Sequence, residues 1–198
     1  AQNLGINLYL KTQSVRGQIS IVEASNESNQ LKTIICSDGY LSPANNNKHC
    51  LGATFSVDNL ESALDEEDHQ ANLFKLKSFS LALHENLKNN IKAGRVSFRC
   101  TSFDYFPLVG ALLDHTKLKA NPPRLNAKAE SLPWVNGLYM NIAHGSRGFT
   151  SAPFCAELLA QTICQETITM NIELAALMNP NRFALRKLGL KRLAKMTT

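Results

Sequence analysis

The chain has 198 residues, of which 44% are hydrophobic and 19% are charged, with a formal net charge of +5. That length supports one sizeable core or two small ones, and the balance of apolar and charged residues excludes a disordered polymer. No apolar run reaches the length of a membrane span, which excludes a helical membrane protein from the expectation.

Leu8 to Val22 predicts two short strands around Arg16-Gly17-Gln18, with Ile19 and Ile21 alternating against polar neighbours. A surface hairpin fits the same residues. Ser25 to Gln30 is polar and reads as a loop, Thr33 to Cys36 as a strand, and Asp38-Gly39 as a turn. Tyr40 to Pro43, the polar loop Ala44 to Lys48 and Leu51 to Phe55 follow. Asp65-Glu66-Glu67-Asp68 opens a helix running to about Leu83, with its acids at the positive helix end and Leu73, Leu76 and Phe79 turned inward. Those acids read as a solvated first turn rather than a metal site, and His49 beside Cys50 is too little for one.

Arg95 to Gly110 alternates as a half-buried strand, with Val96 and Phe98 on one face and Arg95, Ser97 and Arg99 on the other, and Pro107 ends the regular structure. On spacing alone, Arg99 pairing with Asp104 is a structural alternative to a binding role. Asp114 to Pro133, with Pro122-Pro123, reads as a loop, and Trp134 as a residue packed at the mouth of the next strand. Leu138 to Ile142 has strand length and leads into a turn marked by Gly145 and Gly148. Ser151 as cap and Pro153 near the first helical position then predict a helix through Ile163. Strand, glycine turn and helix start together point free N–H groups and a positive dipole end above the turn, and Arg147 adds a charge. An ordinary strand-to-helix connection has the same pattern.

The charge is placed unevenly. Residues 182–195 hold six cations, Arg182, Arg186, Lys187, Lys191, Arg192 and Lys195, and no acid follows Glu173. The rest of the chain carries 15 cations against 16 acids, so the positive charge belongs to the C-terminal segment and predicts a polyanion contact there. Phe183, Leu188 and Leu193 would anchor a short helix with its cations outward; a disordered solubility tail is the alternative. Five cysteines, Cys36, Cys50, Cys100, Cys155 and Cys164, show no C-x-x-C spacing and predict reduced thiols in a cytoplasmic protein, with no metal site.

His144-Gly145-Ser146-Arg147-Gly148, Ala152-Pro153 and Ala156 to Ala160 resemble the C-terminal flavin-contacting segment of the D-amino-acid-oxidase-like FAD-dependent oxidoreductases. Arg99, Thr101, Asp104, Pro107 and Gly110 resemble a second segment of that family, Arg16-Gly17-Gln18 its strand beside the cofactor, and Tyr40 to Phe55 its hairpin across the substrate sheet. Asn179 to Arg182 and Arg186-Lys187-Leu188 are most similar to the subgroup that modifies the wobble uridine of tRNA. The resemblance implies an α+β fold: a mixed, largely antiparallel substrate sheet with flanking helices, plus the terminal strand and helix of a FAD-binding domain. It implies a substrate-binding sheet over 1–97, a flavin-facing return segment over 98–170 and a basic tail over 171–198.

For the site, the resemblance implies FAD held by His144, Gly145, Ser146, Arg147, Gly148, Phe149 and Thr150, against the pyrimidine end of the isoalloxazine ring. Substrate would be held by Arg99, Asp104 and Tyr40, with Arg99 taking a carboxylate through its planar fork. Tail cations Arg182, Arg186, Lys187, Lys191 and Arg192 would take tRNA phosphates. The implied activity is oxidative removal of the carboxymethyl group from carboxymethylaminomethyl-uridine, with methylation by a partner domain. A free glycine- or sarcosine-type amino-acid oxidase and a non-enzymatic RNA-binding module are the rival readings. No G-x-G-x-x-G follows a strand, although the family needs one, so upstream FAD-binding and methyltransferase domains are expected in a longer polypeptide.

Overall fold

The computed structural model describes residues 10–195, the side chain of Lys195 excepted, so Leu8 at the start of the first expected strand lies outside the described residues. The described residues form two compact units, one of Ser14–Arg99 and one of residues 10–13 and 100–195.

Strand β1, Thr12–Glu23, is continuous where two strands were expected. Arg16 and Gln18 share one face of it and are buried (2% and 0% exposed), so the polar pair sits mid-strand and not in a turn. In the first unit the sheet runs in the order β2 (Ile35–Cys36), β3 (Tyr40–Leu41), β4 (Lys48–Gly52), β1 and β5 (Ser56–Val57), with β6 (Ile91–Ser102) also pairing β1. β4 lies antiparallel to β1 with Ile19 opposite Gly52 and Glu23 opposite Lys48. Helix α1, Glu66–Phe79, is capped by Asp65, whose side chain accepts from the Glu67 N–H. The helix stops earlier than expected. Ser80 is extended and caps a second helix, α2 (Leu81–Leu87), in place of one run to Leu83. Leu73, Leu76 and Leu87 pack on Val22, Leu41 and Leu51, with Phe79 partly buried against them.

Buried polar groups tie α1 to the sheet. Arg16 donates to the carbonyls of Glu61 (2.7 Å) and Ala63 (2.8 Å), to Gln18 (3.3 Å) and to the Asp68 carboxylate. Gln18 exchanges hydrogen bonds with the Asp65 backbone, at 2.6 and 2.9 Å. Asp68 is therefore not part of a solvated first turn; it is the counter-charge of a buried arginine.

In the second unit, β7 (Leu108–Leu113) pairs antiparallel with β8 (Trp134–Ile142), Leu108 opposite Ile142 and Gly110 opposite Met140. The expected end of regular structure at Pro107 is instead the start of β7, because proline at the residue before a strand removes no ladder bond. Helix α3, His115–Ala120, occupies part of the expected loop; Asp114 caps it by accepting from the N–H groups of Thr116 and Lys117. Trp134 opens β8, and its indole donates to the Ala129 carbonyl at 2.8 Å. Helix α4, Gly148–Cys164, lays Cys155 and Leu158 on Val109, together with Ala175 and Met178 of α5 (Ile172–Met178).

The basic segment is built into this unit. After α6 (Arg182–Lys187), Leu185, Leu190 and Leu193 are all but fully buried against Leu113, Leu118 and Leu132. Asn181 donates to the Ala111 carbonyl (2.8 Å) and accepts from the Leu113 N–H (3.0 Å). A disordered tail is excluded by this packing.

Replacing Asp68 by Ala would leave the Arg16 guanidinium buried without its counter-charge, at a cost of about 3–5 kcal/mol. Urea unfolding should show the midpoint falling while the slope is kept; an unchanged midpoint would show that the pair contributes nothing.

Candidate active site

In the first unit the site centres on Arg99. Its guanidinium lies across β1 over Gly17: a Cβ built on Gly17 would stand 2.0 Å from Nη1, 2.9 Å from Cζ and 2.9 Å from the Thr54 carbonyl oxygen, so a side chain there would push the guanidinium out of this position. Nη1 is buried and has no hydrogen-bond partner. A buried, unpartnered N–H of a cation is costly, and a carboxylate satisfies both its charge and its geometry. Tyr40 is half-buried, with its hydroxyl 3.9 Å from the Cys50 sulfur. Burial pushes the Tyr40 hydroxyl above its usual range, Cys50 adds to this, and the charges of Arg99 and Arg95 act the other way. Tyr40 is thus a neutral hydroxyl within the field of Arg99.

Asp104 has partners of its own. It sits in the second unit and accepts from Arg182 in a bidentate pair, Nε at 2.9 Å and Nη2 at 2.6 Å, and from the Ser102 hydroxyl at 2.9 Å. Arg182 is 2% exposed and further donates to the carbonyls of Phe106 (3.0 Å), Pro107 (3.3 Å) and Asn179 (3.1 Å). This corrects two sequence expectations at once: Asp104 has no free oxygen for substrate, and Arg182 has no free N–H for a phosphate. Arg99 does not pair with Asp104 either. Arg186, Lys187 and Lys191 are exposed. Arg192 is exposed too, but its guanidinium holds the carbonyls of Leu125 (3.0 Å) and Ala127.

The glycine turn of the second unit follows β8. Gly145–Arg147 form a 3-10 turn that runs straight into α4 at Gly148. The helix therefore begins earlier than Ser151, which is not its cap: the Ser151 and Thr150 hydroxyls donate back to the Arg147 carbonyl at 2.8 and 2.9 Å. No side chain caps the α4 start, although the Arg147 N–H donates to the His144 carbonyl at 3.1 Å. Pro153 lies inside the helix for the same reason. Gly145 has φ +56° and a Cβ there would meet the Thr101 methyl at 2.8 Å, so the turn presses against Thr101, which bridges to His144. His144 shares a 2.9 Å hydrogen bond with the Ser151 hydroxyl; Ser151 has spent its own proton on Arg147, which assigns the ring proton to Nδ1. Burial lowers the His144 pKa against the hydrogen bond to the Asn141 backbone, so the ring is neutral at pH 7. Arg147 and Ser146 are exposed and Phe149 stands wholly in solvent.

Two residues absent from the sequence expectation complete this turn. Thr101 Oγ1 and Asn141 Oδ1 are buried without partners. Thr101 was visible only as part of its segment, and no sequence signal marked Asn141. Uncapped N–H groups, two unpaired side-chain oxygens and a turn without a Cβ fit the polar edge of a flavin, which carries both donors and acceptors. Among the described residues no three His, Cys, Asp or Glu side chains group to hold a metal.

Residues 1–162 match the family model for FAD-dependent oxidoreductases, and the chain belongs to that family, whose cofactor is FAD. It is 46% identical over 188 residues to the tRNA 5-methylaminomethyl-2-thiouridine biosynthesis bifunctional protein MnmC of Methylobacillus flagellatus, covering 94% of this chain and 29% of that protein. The protein of the same name from Stutzerimonas stutzeri is 40% identical over 190 residues, covering 91% and 29%. The chain thus spans less than a third of the length of these relatives. Among solved structures, glycine oxidase from Geobacillus kaustophilus matches with a TM-score of 0.64 at 17% identity, over 91% of this chain and 41% of that one. L-proline dehydrogenase from P. horikoshii matches with a TM-score of 0.65 at 16% identity, over 91% and 42%. These likenesses bear out the α+β fold.

The Asp104–Arg182 pair gives a signature in acid. Burial raises the Asp104 pKa, but the hydrogen bonds from Arg182 and Ser102, the Arg182 charge and the Phe106 N–H outweigh it and hold the carboxyl below its ordinary value. A depressed folded-state pKa means the stabilisation is complete above about pH 4 and is lost as pH falls through the lower, folded value. The stability gap between the native chain and Asp104→Asn, followed by urea unfolding, should be constant from neutral pH to about 5 and shrink toward pH 3. A gap that persists undiminished at pH 3 would contradict the pairing.

Proposed function

We propose that this chain is the substrate-side and flavin-facing part of an FAD-dependent oxidoreductase acting on tRNA. In the intact polypeptide it removes the carboxymethyl group from carboxymethylaminomethyl-(2-thio)uridine at the wobble position, leaving the aminomethyl base for a methyltransferase domain of the same polypeptide. The reaction is cytoplasmic, where tRNA is matured. The observation that carries the reading is the buried, unpartnered Nη1 of Arg99 held over Gly17. The names of the relatives support a tRNA substrate, and Arg99 gives a reason why it would bear a carboxylate.

The chemistry FAD supplies when bound is two-electron oxidation: a hydride leaves the carbon beside the amine nitrogen, and water then cleaves the resulting C=N bond to glyoxylate and the aminomethyl base. The residues of this chain bind and orient. Arg99 pairs with the substrate carboxylate. Tyr40 offers a neutral hydroxyl to the same group. Gly145 to Thr150, with Thr101 and Asn141, would hold the flavin edge, and the α4 start with Arg147 favours negative charge there. Arg186, Lys187, Lys191 and Arg192 offer positive charge to the RNA backbone. A neutral amine releases hydride without a strong protein base, so none is assigned.

In the full-length protein, Arg99→Ala should raise KM for carboxymethylaminomethyl-tRNA while flavin stays bound, since a lost buried charged hydrogen bond costs about 2–5 kcal/mol. Unchanged kinetics would refute the assignment, and turnover of free glycine or sarcosine without tRNA would favour an amino-acid oxidase.

The 198-residue chain alone should purify colourless. A helix start and one exposed arginine supply about 1–3 kcal/mol, whereas millimolar affinity needs about 4 kcal/mol. Titrating FAD and following its fluorescence tests this; saturable micromolar binding would show that the cofactor site lies elsewhere in the chain.

A further inference from the structure

The exposed cations of the C-terminal segment do not form one patch. α6 carries Arg186 and Lys187 at consecutive positions, about 100° apart around the helix, and they face different grooves. Arg186 and Lys191 line one of about 160 Å3 that Glu173 also lines. Lys187 lines a groove of about 280 Å3 with Lys119 and His115 of α3, and no acid lines it. Leu118, Pro122, Ala184 and Leu188 form the apolar remainder, and Leu118 and Ala184 continue into the buried core beneath, so the walls are fixed. Burial, Lys119 and Lys187 lower the His115 pKa and keep the ring neutral at pH 7. It therefore adds no third charge to the groove.

We propose that the groove between α3 and α6 is where this unit grips the RNA backbone, with Lys119 and Lys187 on phosphate oxygens and the sugar or base edge of one nucleotide against the apolar wall. The inference rests on the tRNA reading given above. Charge complementarity selects the occupant: two lysines from separate elements converge on an acid-free concavity, whereas Glu173 lines the neighbouring groove. The sequence pattern pointed to the C-terminal cations as a group. The structure separates them and recruits Lys119, from the stretch 114–133 that reads as a loop in the sequence.

The test is tRNA binding by the full-length protein over a salt series, read by fluorescence anisotropy. Each phosphate contact contributes about 0.7–0.9 to the log–log salt slope. The double variant Lys119→Gln/Lys187→Gln should flatten the slope by about 1.5 units and weaken binding at least about tenfold at about 0.1 M salt. Its melting temperature should be unchanged, because both side chains are exposed. Lys119→Arg/Lys187→Arg should keep affinity and slope, and Arg186→Gln/Lys191→Gln should move both by less than half as much. If the unaltered protein binds tRNA and Lys119→Gln/Lys187→Gln binds equally well, the groove is not the contact. Equal losses from the two Gln pairs would also overturn it, since they would mean a diffuse positive field. A full-length protein that binds no tRNA overturns the tRNA reading itself, and the groove assignment falls with it.

Discussion

The second unit depends on one buried guanidinium. Arg182 has five N–H groups and five hydrogen bonds: two to Asp104 and one each to the carbonyls of Phe106, Pro107 and Asn179. They fasten the turn between β6 and β7 to the segment that leads into α6, and the Phe183 ring lies 4.5 Å from the guanidinium carbon. Lysine, a point charge with three donors, cannot reproduce that set. Because the turn is held, β7 starts directly after Pro107 and pairs with β8, and β8 delivers the glycine turn. The charge that looks like a solvent-facing cation in the sequence is a structural bolt.

Arg16, Arg99 and Arg182 show how the surroundings assign a role to the same side chain. Arg16 and Arg182 are buried and paired with a carboxylate and with main-chain carbonyls, which commits their charge to the fold. Arg99 keeps a buried nitrogen without an acceptor. Leaving such a group unmade is costly in isolation, and enzymes place the cost where substrate removes it. The orphaned oxygens of Thr101 and Asn141 mark the flavin-facing turn by the same logic.

Much of the architecture was legible in the sequence. Alternation marked β6, the glycine pair marked the turn after β8, and the acidic run marked the start of α1. Its failures have local causes. Arg16-Gly17-Gln18 looked like a chain reversal because two long polar residues flank a glycine; their buried partners, Glu61 to Asp68, are some fifty positions away and leave no local trace. Ser151 and Pro153 looked like a helix start, yet the 3-10 turn at Gly145 extends the helix backwards past both. α3 was hidden because the proline pair after it dominates the composition, although Asp114 is an ordinary cap. Asp104 and Arg182 were assigned to two different ligands because 78 residues separate partners that satisfy each other.

The missing side chain at Gly17 has an evolutionary consequence. A side chain there and the Arg99 guanidinium in its present place claim the same volume. The two positions should therefore drift as a linked pair: a larger residue at 17 displaces the guanidinium from this place, and a lineage that acquires one loses the reason to keep arginine at 99. Selection for a carboxylate-bearing substrate would then be recorded at a residue that never touches it.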